Sequence, residues 1–317
     1  MNRFTLPSSD QRTQLAAYCI PPAGEVRAIL QISHGMCEHF MRYVPFGEYL
    51  AAHGILVCGH DHLGHGNTAR TSEELGYTAK GGGADFLVED VHALSLFIKQ
   101  QYPTLPLVLF GHSMGSFIAR EVVARHGKDY DAAVFCGTAG PETPAGAGRA
   151  LASLLILLQG EHHRSKLLKR ISFMGYNKKF GKDCDPNAWL TRDEATVRSY
   201  HDDERCGFVF SLRAYHDLFT LISWVSDKRW ANRLCTDRPL LLISGEDDPV
   251  GGYGKGVRTV EKRLQQANVE DLSTLLYPQM RHEILNEIDK ERVWEDILKW
   301  LESRLPSPTS SKQAEEF

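Results

Sequence analysis

Four apolar residues, Leu107 to Phe110, run without a break into Gly111-His112-Ser113-Met114-Gly115, and from residue 114 to 126 apolar positions recur at helical spacing. A strand that turns directly into a helix at Gly-x-Ser-x-Gly forms a strained elbow, in which only small neighbours of the serine let strand and helix come so close. Such an elbow needs a strand covered by the helix that follows it. The rest of the chain agrees, because aliphatic blocks at 28–32, 55–58, 132–136, 240–244 and 273–277 alternate with helical patterns at 86–102, 257–264 and 293–301. This order predicts an α/β fold built of βαβ units, with a mostly parallel sheet covered by helices on both faces.

The alternation stops between residues 140 and 238, where no buried-strand pattern appears and the sequence turns helical, basic and aromatic. That stretch reads as a helical insertion dividing a core of residues 1–139 and 239–305. Inside it, Thr191-Arg192-Asp193-Glu194 predicts a helix start, since the threonine and the glutamate three residues on can satisfy each other's free backbone amides. Residues 306–317 are almost without apolar side chains and read as a disordered tail.

Composition narrows the function classes. The formal net charge is −4 with both signs interspersed, which gives no electrostatic footprint for nucleic acid. The longest apolar run, 151–158, is far shorter than the roughly 20 residues of a membrane span, and the start MNRFTLPSSDQRTQ lacks the apolar centre of a signal peptide. The seven cysteines are scattered and contain no Cys-x-x-Cys pair, which argues against a disulfide framework or a cysteine-based zinc site. A cytoplasmic protein is expected.

A serine at such an elbow becomes a nucleophile only with a base beside it and a carboxylate that orients the base. In this fold the two follow the serine in the order acid, then histidine. Gly245-Glu246-Asp247-Asp248-Pro249 follows the block at 240–244, and Asp248 is preferred to Asp247 because Pro249 fixes a turn just after it. After the block at 273–277 comes His282, the only one of fourteen histidines beyond the final strand. An oxyanion forming on the substrate needs backbone donors, and the amides of Met114 and, after His34-Gly35, Met36 stand at the right places. A metal centre is the competing reading of His60-Asp61-His62-Leu63-Gly64-His65. It is disfavoured because Gly64 stands where a second acid ligand belongs. No metal and no other cofactor is expected.

Taken together, SHGMCEHFMRY, DHLGHG, GHSMGS, GEDDPV and MRHEILNE resemble the motifs of the monoacylglycerol lipase and lysophospholipase branch of the α/β-hydrolase superfamily, in the same order and over residues 28–305. The resemblance implies an α/β-hydrolase fold with a helical cap over residues 140–238. It also implies Ser113 as nucleophile, His282 as base, Asp248 as its partner, and the Met36 and Met114 amides as the oxyanion hole. Leu63 stands where many members carry arginine, so no arginine contact is carried over at that position.

The expected substrate is a lipid-like monoester. On that reading the apolar stretch 150–158, with Leu154 and Leu157, lines an acyl channel, His34 lies at the substrate, and the basic residues that follow touch a lipid surface transiently. An ordinary cap helix with a solvated basic face fits the same stretch. Two rivals remain: an aminopeptidase of the same fold, similar to proline iminopeptidases, with an acid among Asp202, Asp203 and Glu204 holding an amino terminus, and a catalytically idle fold used for binding.

Overall fold

The structure is a computed structural model that describes residues 1–141, 144–181 and 183–304. The tail 306–317 lies outside the described residues. The chain opens with β1 (Asn2–Pro7) and β2 (Gln14–Ile20), followed by β3 (Ala28–Ser33), α1 (Val44–Ala51), β4 (Ile55–His60), α2 (Gly83–Gln101), β5 (Leu107–His112), α3 (Met114–His126) and β6 (Ala132–Cys136). Four helices come next: α4 (Ala145–Gln159), α5 (Lys166–Ser172), α6 (Glu194–Asp202) and α7 (Leu212–Ser226). The chain closes with β7 (Leu240–Gly245), α8 (Lys255–Gln266), β8 (Leu272–Tyr277) and α9 (Lys290–Glu302).

The strands form a single sheet in the order β1-β2-β4-β3-β5-β6-β7-β8. Pairs β1–β2 and β2–β4 are antiparallel and all other neighbours are parallel. Alternate residues of a strand point to opposite faces, and the packing follows that rule. Ile29, Leu107, Leu109, Phe135 and Leu242 cluster with Leu87 and Val91 of α2, Ile118 and Val122 of α3, and Val260 of α8. Their neighbours Leu30, Val108, Phe110, Val134 and Leu241 cluster with Phe46 and Leu50 of α1 and Val293 and Ile297 of α9. Each side chain removed from water in this way contributes about 1.5–3 kcal/mol, so both faces must be covered.

Two features differ from the sequence expectation. The hairpin β1–β2 is additional. β1 is mostly exposed and β2 is built on Ala16 and Ala17 rather than β-branched residues, so neither carries a strong strand signal. Helix α6 is capped by Asp193, whose side chain accepts from the Ala195 amide, while Thr191 turns away to donate to the Asn286 carbonyl. Within the stretch 140–238 the helices differ in burial. α7 is buried along most of its length, with Leu212, Tyr215, Phe219 and Leu221 in the same cluster as α2 and α3.

Helix α4 lies on α7 through small residues. Ala145 and Ala152 are buried, and a methyl group on Gly148 would sit 3.0 Å from the Phe219 ring. The opposite side of α4 is open to solvent. Among the described residues no helix is long and apolar enough to cross a membrane.

Candidate active site

Ser113, Asp248 and His282 leave the sheet at the C-terminal ends of β5, β7 and β8, the edge at which α/β sheets carry their sites. Ser113 has φ 54° and ψ −121°, a conformation that costs a non-glycine residue roughly 1–3 kcal/mol. The surroundings hold it there. Its amide donates to the Cys136 carbonyl at 2.9 Å, and its carbonyl accepts from the Ser116 amide at 2.8 Å and the Ser116 hydroxyl at 2.6 Å. The flanking glycines are sterically required: a methyl group on Gly115 would lie 2.0 Å from the Ser33 carbonyl oxygen, and one on Gly111 would lie 2.3 Å from that of Gly115.

His282 is buried, and its Nδ1 donates to Asp248 Oδ2 at 3.0 Å. Asp248 is fully buried and accepts also from the Ser244 hydroxyl at 3.1 Å and the Val250 amide at 2.8 Å. Asp247, one residue earlier, instead pairs with Lys179. The His282 ring lies tilted against Trp189, ring centres 5.1 Å apart, the Trp189 carbonyl accepts the His282 amide, and Arg281 reaches the Ala188 and Thr191 carbonyls. The loop carrying the histidine is therefore fastened to the stretch before α6. Nothing in the local sequence around Trp189 signals this contact, because it joins residues 93 positions apart.

The loop after β3 is tied to the same centre. A methyl group on Gly35 would come within 3.2 Å of Ser113 Cβ. Glu38 folds back on this loop, accepting from the Gly35 amide at 2.5 Å and the Tyr43 hydroxyl at 2.7 Å, while Arg42 contacts its second oxygen at 2.7 Å. Arg42 also forks onto both oxygens of Glu283, each at 2.6 Å, so one guanidinium connects the β3 loop to the residue beside His282. His112 completes the group, with Nδ1 3.2 Å from Glu38 and Nε2 3.3 Å from the His282 carbonyl.

Two acids and two bases share this buried space. Burial alone would raise Glu38, but His112 and Arg42 outweigh it and hold the carboxyl well below the usual range. Burial would lower His112, but Glu38 outweighs it and raises it. Removing one member would leave an uncompensated buried charge. Sequence reading found Glu38, Arg42 and Tyr43 as parts of a motif, without the ion pairs that give them a purpose.

His34 is corrected as a substrate contact. It is completely buried, its Nδ1 donates to the Gly35 carbonyl at 2.8 Å, and its Nε2 accepts from the His62 amide at 3.0 Å. With both nitrogens used, it shapes the loop. Leu154 and Leu157 are likewise corrected as channel walls, since they are 53% and 84% exposed on the open side of α4. The amides of Met36 and Met114 have no acceptor among the described residues.

The segment after β4 serves the fold. The Asp61 carboxylate accepts from the Phe40 and Asn67 amides and the Tyr18 hydroxyl. Burial pushes the imidazoles of His34, His60, His62 and His65 down, those of His60 and His65 to about 4. A histidine whose folded value lies below its unfolded value of about 6.5 binds fewer protons folded than unfolded, so its stabilisation is complete above about pH 6.5 and falls toward pH 4. At pH 5 the loss is roughly 2 kcal/mol each for His60 and His65. Burial raises Asp90 to about 6 and acts in the opposite direction, so the variant carries the test. By urea unfolding, the loss of stability from pH 7 to pH 5 should be roughly 2 kcal/mol smaller in His65→Gln than in the wild type, and an unchanged difference would refute the assignment.

With this geometry in place, the comparisons with known proteins decide the family. Residues 24–289 match the family described as serine aminopeptidase, S33. The chain belongs to that family. A monoacylglycerol lipase of Mycolicibacterium smegmatis is 26% identical over 287 residues, 90% of this chain and 91% of that protein. A thermostable carboxyl esterase from Bacillus coagulans has a TM-score of 0.88 at 30% identity, covering 95% of this chain and 98% of its own. A lipase in its open form has a TM-score of 0.86 at 28% identity, covering 96% and 98%. This member of the S33 family is thus an α/β-hydrolase and a serine hydrolase of the lipase and esterase kind.

Proposed function

We propose that this hydrolase cleaves lipid-like monoesters, of the monoacylglycerol or lysophospholipid kind, through a triad of Ser113, His282 and Asp248. The observation that carries the reading is the buried His282–Asp248 hydrogen bond at 3.0 Å beside a serine held at φ 54° in an elbow. Ser113 Oγ attacks the ester carbonyl while His282 takes its proton. The tetrahedral oxyanion is held by the Met36 and Met114 amides, and the alcohol leaves with the proton from His282. Water, activated by the same imidazole, then attacks the acyl-enzyme, releasing the fatty acid and restoring the serine. Asp248 holds the imidazole in the tautomer with Nδ1 protonated and stabilises its charged form. Residues 140–238, which include α4, α5, α6 and α7, act as a cap over this centre.

The lipid part of the reading rests on the outer surface of α4 and α5. Leu154, Leu157, Leu158, Leu167, Ile171 and Met174 are exposed there, and His162, His163, Lys166 and Arg170 among them are exposed too. Apolar side chains mixed with cations suit transient contact with a lipid–water interface. An aminopeptidase would need a carboxylate free to hold an amino terminus. Asp203 is engaged by His39 at 2.7 Å, and Asp202 and Glu204 are exposed.

The test separates dissolved from interfacial substrate. With p-nitrophenyl esters kept below their micelle concentrations, kcat/KM of the wild type should rise with acyl length, each buried methylene adding up to about 0.8 kcal/mol to transition-state binding, until the site is full. Leu154→Ser with Leu157→Ser should leave that climb unchanged and slow hydrolysis of monoacylglycerol in vesicles. If the wild type prefers acetyl to decanoyl esters, the lipid reading fails. If the double variant flattens the climb for dissolved esters, both leucines line the acyl site after all.

A further inference from the structure

We infer that Glu89, His92 and His126 form a site for a borderline divalent transition metal such as Zn²⁺, separate from the ester-cleaving centre. Glu89 and His92 are three residues apart on α2, which places them on one face of the helix; a Glu-x-x-His pair of this kind supplies metal ligands in helical bundles. His126 is the last residue of α3. The two helices pack side by side, and their imidazoles lie flat on each other, with ring centres 3.7 Å apart and planes 5° from parallel. His126 Nε2 is 3.0 Å from Glu89 Oε2, and His92 Nε2 is 2.8 Å from Asp129 Oδ2. One donor atom from each of Glu89, His92 and His126 lies within 4.8 Å of the others.

Zinc holds its ligands at about 2.0–2.2 Å and so spaces them roughly 3–3.6 Å apart. A metal lies in the plane of each imidazole that binds it, so His92 and His126, both partly exposed, must turn out of their parallel stack to share one ion. Arg125 Nη1 contacts the other oxygen of Glu89 at 3.2 Å and Asp85 at 2.8 Å, so Glu89 Oε2 is the oxygen left for the ion. Two neutral imidazoles with a carboxylate select zinc, nickel or copper over magnesium or calcium. Asp129 stands next to His92 as a further oxygen donor. The site is about 20 Å along the axis of α3 from Ser113, at the rise of 1.5 Å per residue. A bound ion would therefore clamp α2 to the far end of the nucleophile-bearing helix and stabilise the fold without entering the reaction.

A second cluster, His39, Asp203 and Cys206, also has its donor atoms within 4.8 Å of one another, and the test must distinguish the two. The full chain, stripped with chelator and dialysed, is titrated with zinc chloride at pH 7.5 by calorimetry, and its melting temperature is followed with and without zinc. One equivalent should bind and raise the melting temperature, because an ion that binds only the folded state stabilises it. His92→Ala, His126→Ala and Glu89→Gln should each weaken binding at least about tenfold and abolish the rise. Cys206→Ser should change neither, and magnesium should not compete. All variants should keep the metal-free melting temperature of the wild type to within a few degrees and hydrolyse esters normally. The inference is overturned if zinc does not bind, if the three variants bind it like the wild type, or if Cys206→Ser alone removes it.

Discussion

Replacing Ser113 by alanine is expected to lower kcat/KM for ester hydrolysis roughly 10⁴-fold or more while leaving the fold intact. The serine contributes its hydroxyl to the chemistry and little else to the structure. Its amide donates to the Cys136 carbonyl and its carbonyl accepts from the Ser116 amide and hydroxyl, bonds that alanine keeps. Alanine also bears a Cβ like the serine, so the strain at φ 54° is unchanged. Steady-state rates on a dissolved butyrate ester, with a thermal melt as the control for folding, check this. An alanine variant that retains most of its activity, or a wild type whose activity disappears with chelator, would mean that another centre cleaves the ester.

Asp248→Asn should lower the same rate by about 10⁴-fold, because an amide at that position no longer enforces the tautomer in which His282 Nδ1 carries the proton, nor balances the imidazolium that forms. Asp247→Asn should cost far less. Its carboxylate faces outward to Lys179, and an exposed pair of that kind is worth at most about 1 kcal/mol. The two variants differ by one position in sequence, and Asp248 is fully buried where Asp247 is only partly so, which makes the comparison sharp. Equal losses would remove Asp248 from its assigned role.

Much of this was readable in the chain because some constraints are local. The Gly-x-Ser-x-Gly elbow is written in five consecutive residues, and the steric reason for its glycines, the Ser33 and Gly115 carbonyls, follows from strand meeting helix. The strands of the parallel core carry continuous aliphatic runs because both faces of the sheet are buried. What escaped depends on partners far away in sequence. Thr191 looks like a helix cap until Asn286 takes its hydroxyl, and Asp193 then caps α6. Leu154 and Leu157 look like lining for an apolar channel, yet α4 rests on α7 by its small residues and turns them outward.

The same distinction separates the parts of the site. Ser113, Asp248 and His282 can be ordered along the chain by what each must do. The charge cluster of Glu38, His112, Arg42 and Glu283 cannot, since it joins the segment after β3, the end of β5 and the segment after β8, and spans 245 positions between its outermost members, from 38 to 283. Only folding reveals that Arg42 couples the loop beside Ser113 to the neighbour of His282.

The most direct measurement of the central claim is to map the covalent adduct left by a fluorophosphonate ester. The chain is treated with the reagent until hydrolysis stops, digested, and sequenced by mass spectrometry. A nucleophile activated by His282 at the elbow predicts one adduct, on Ser113, formed in step with the loss of activity and prevented by a saturating monoacylglycerol. An adduct on any other residue that tracks the loss of activity, or full hydrolytic activity with Ser113 quantitatively modified, would contradict it.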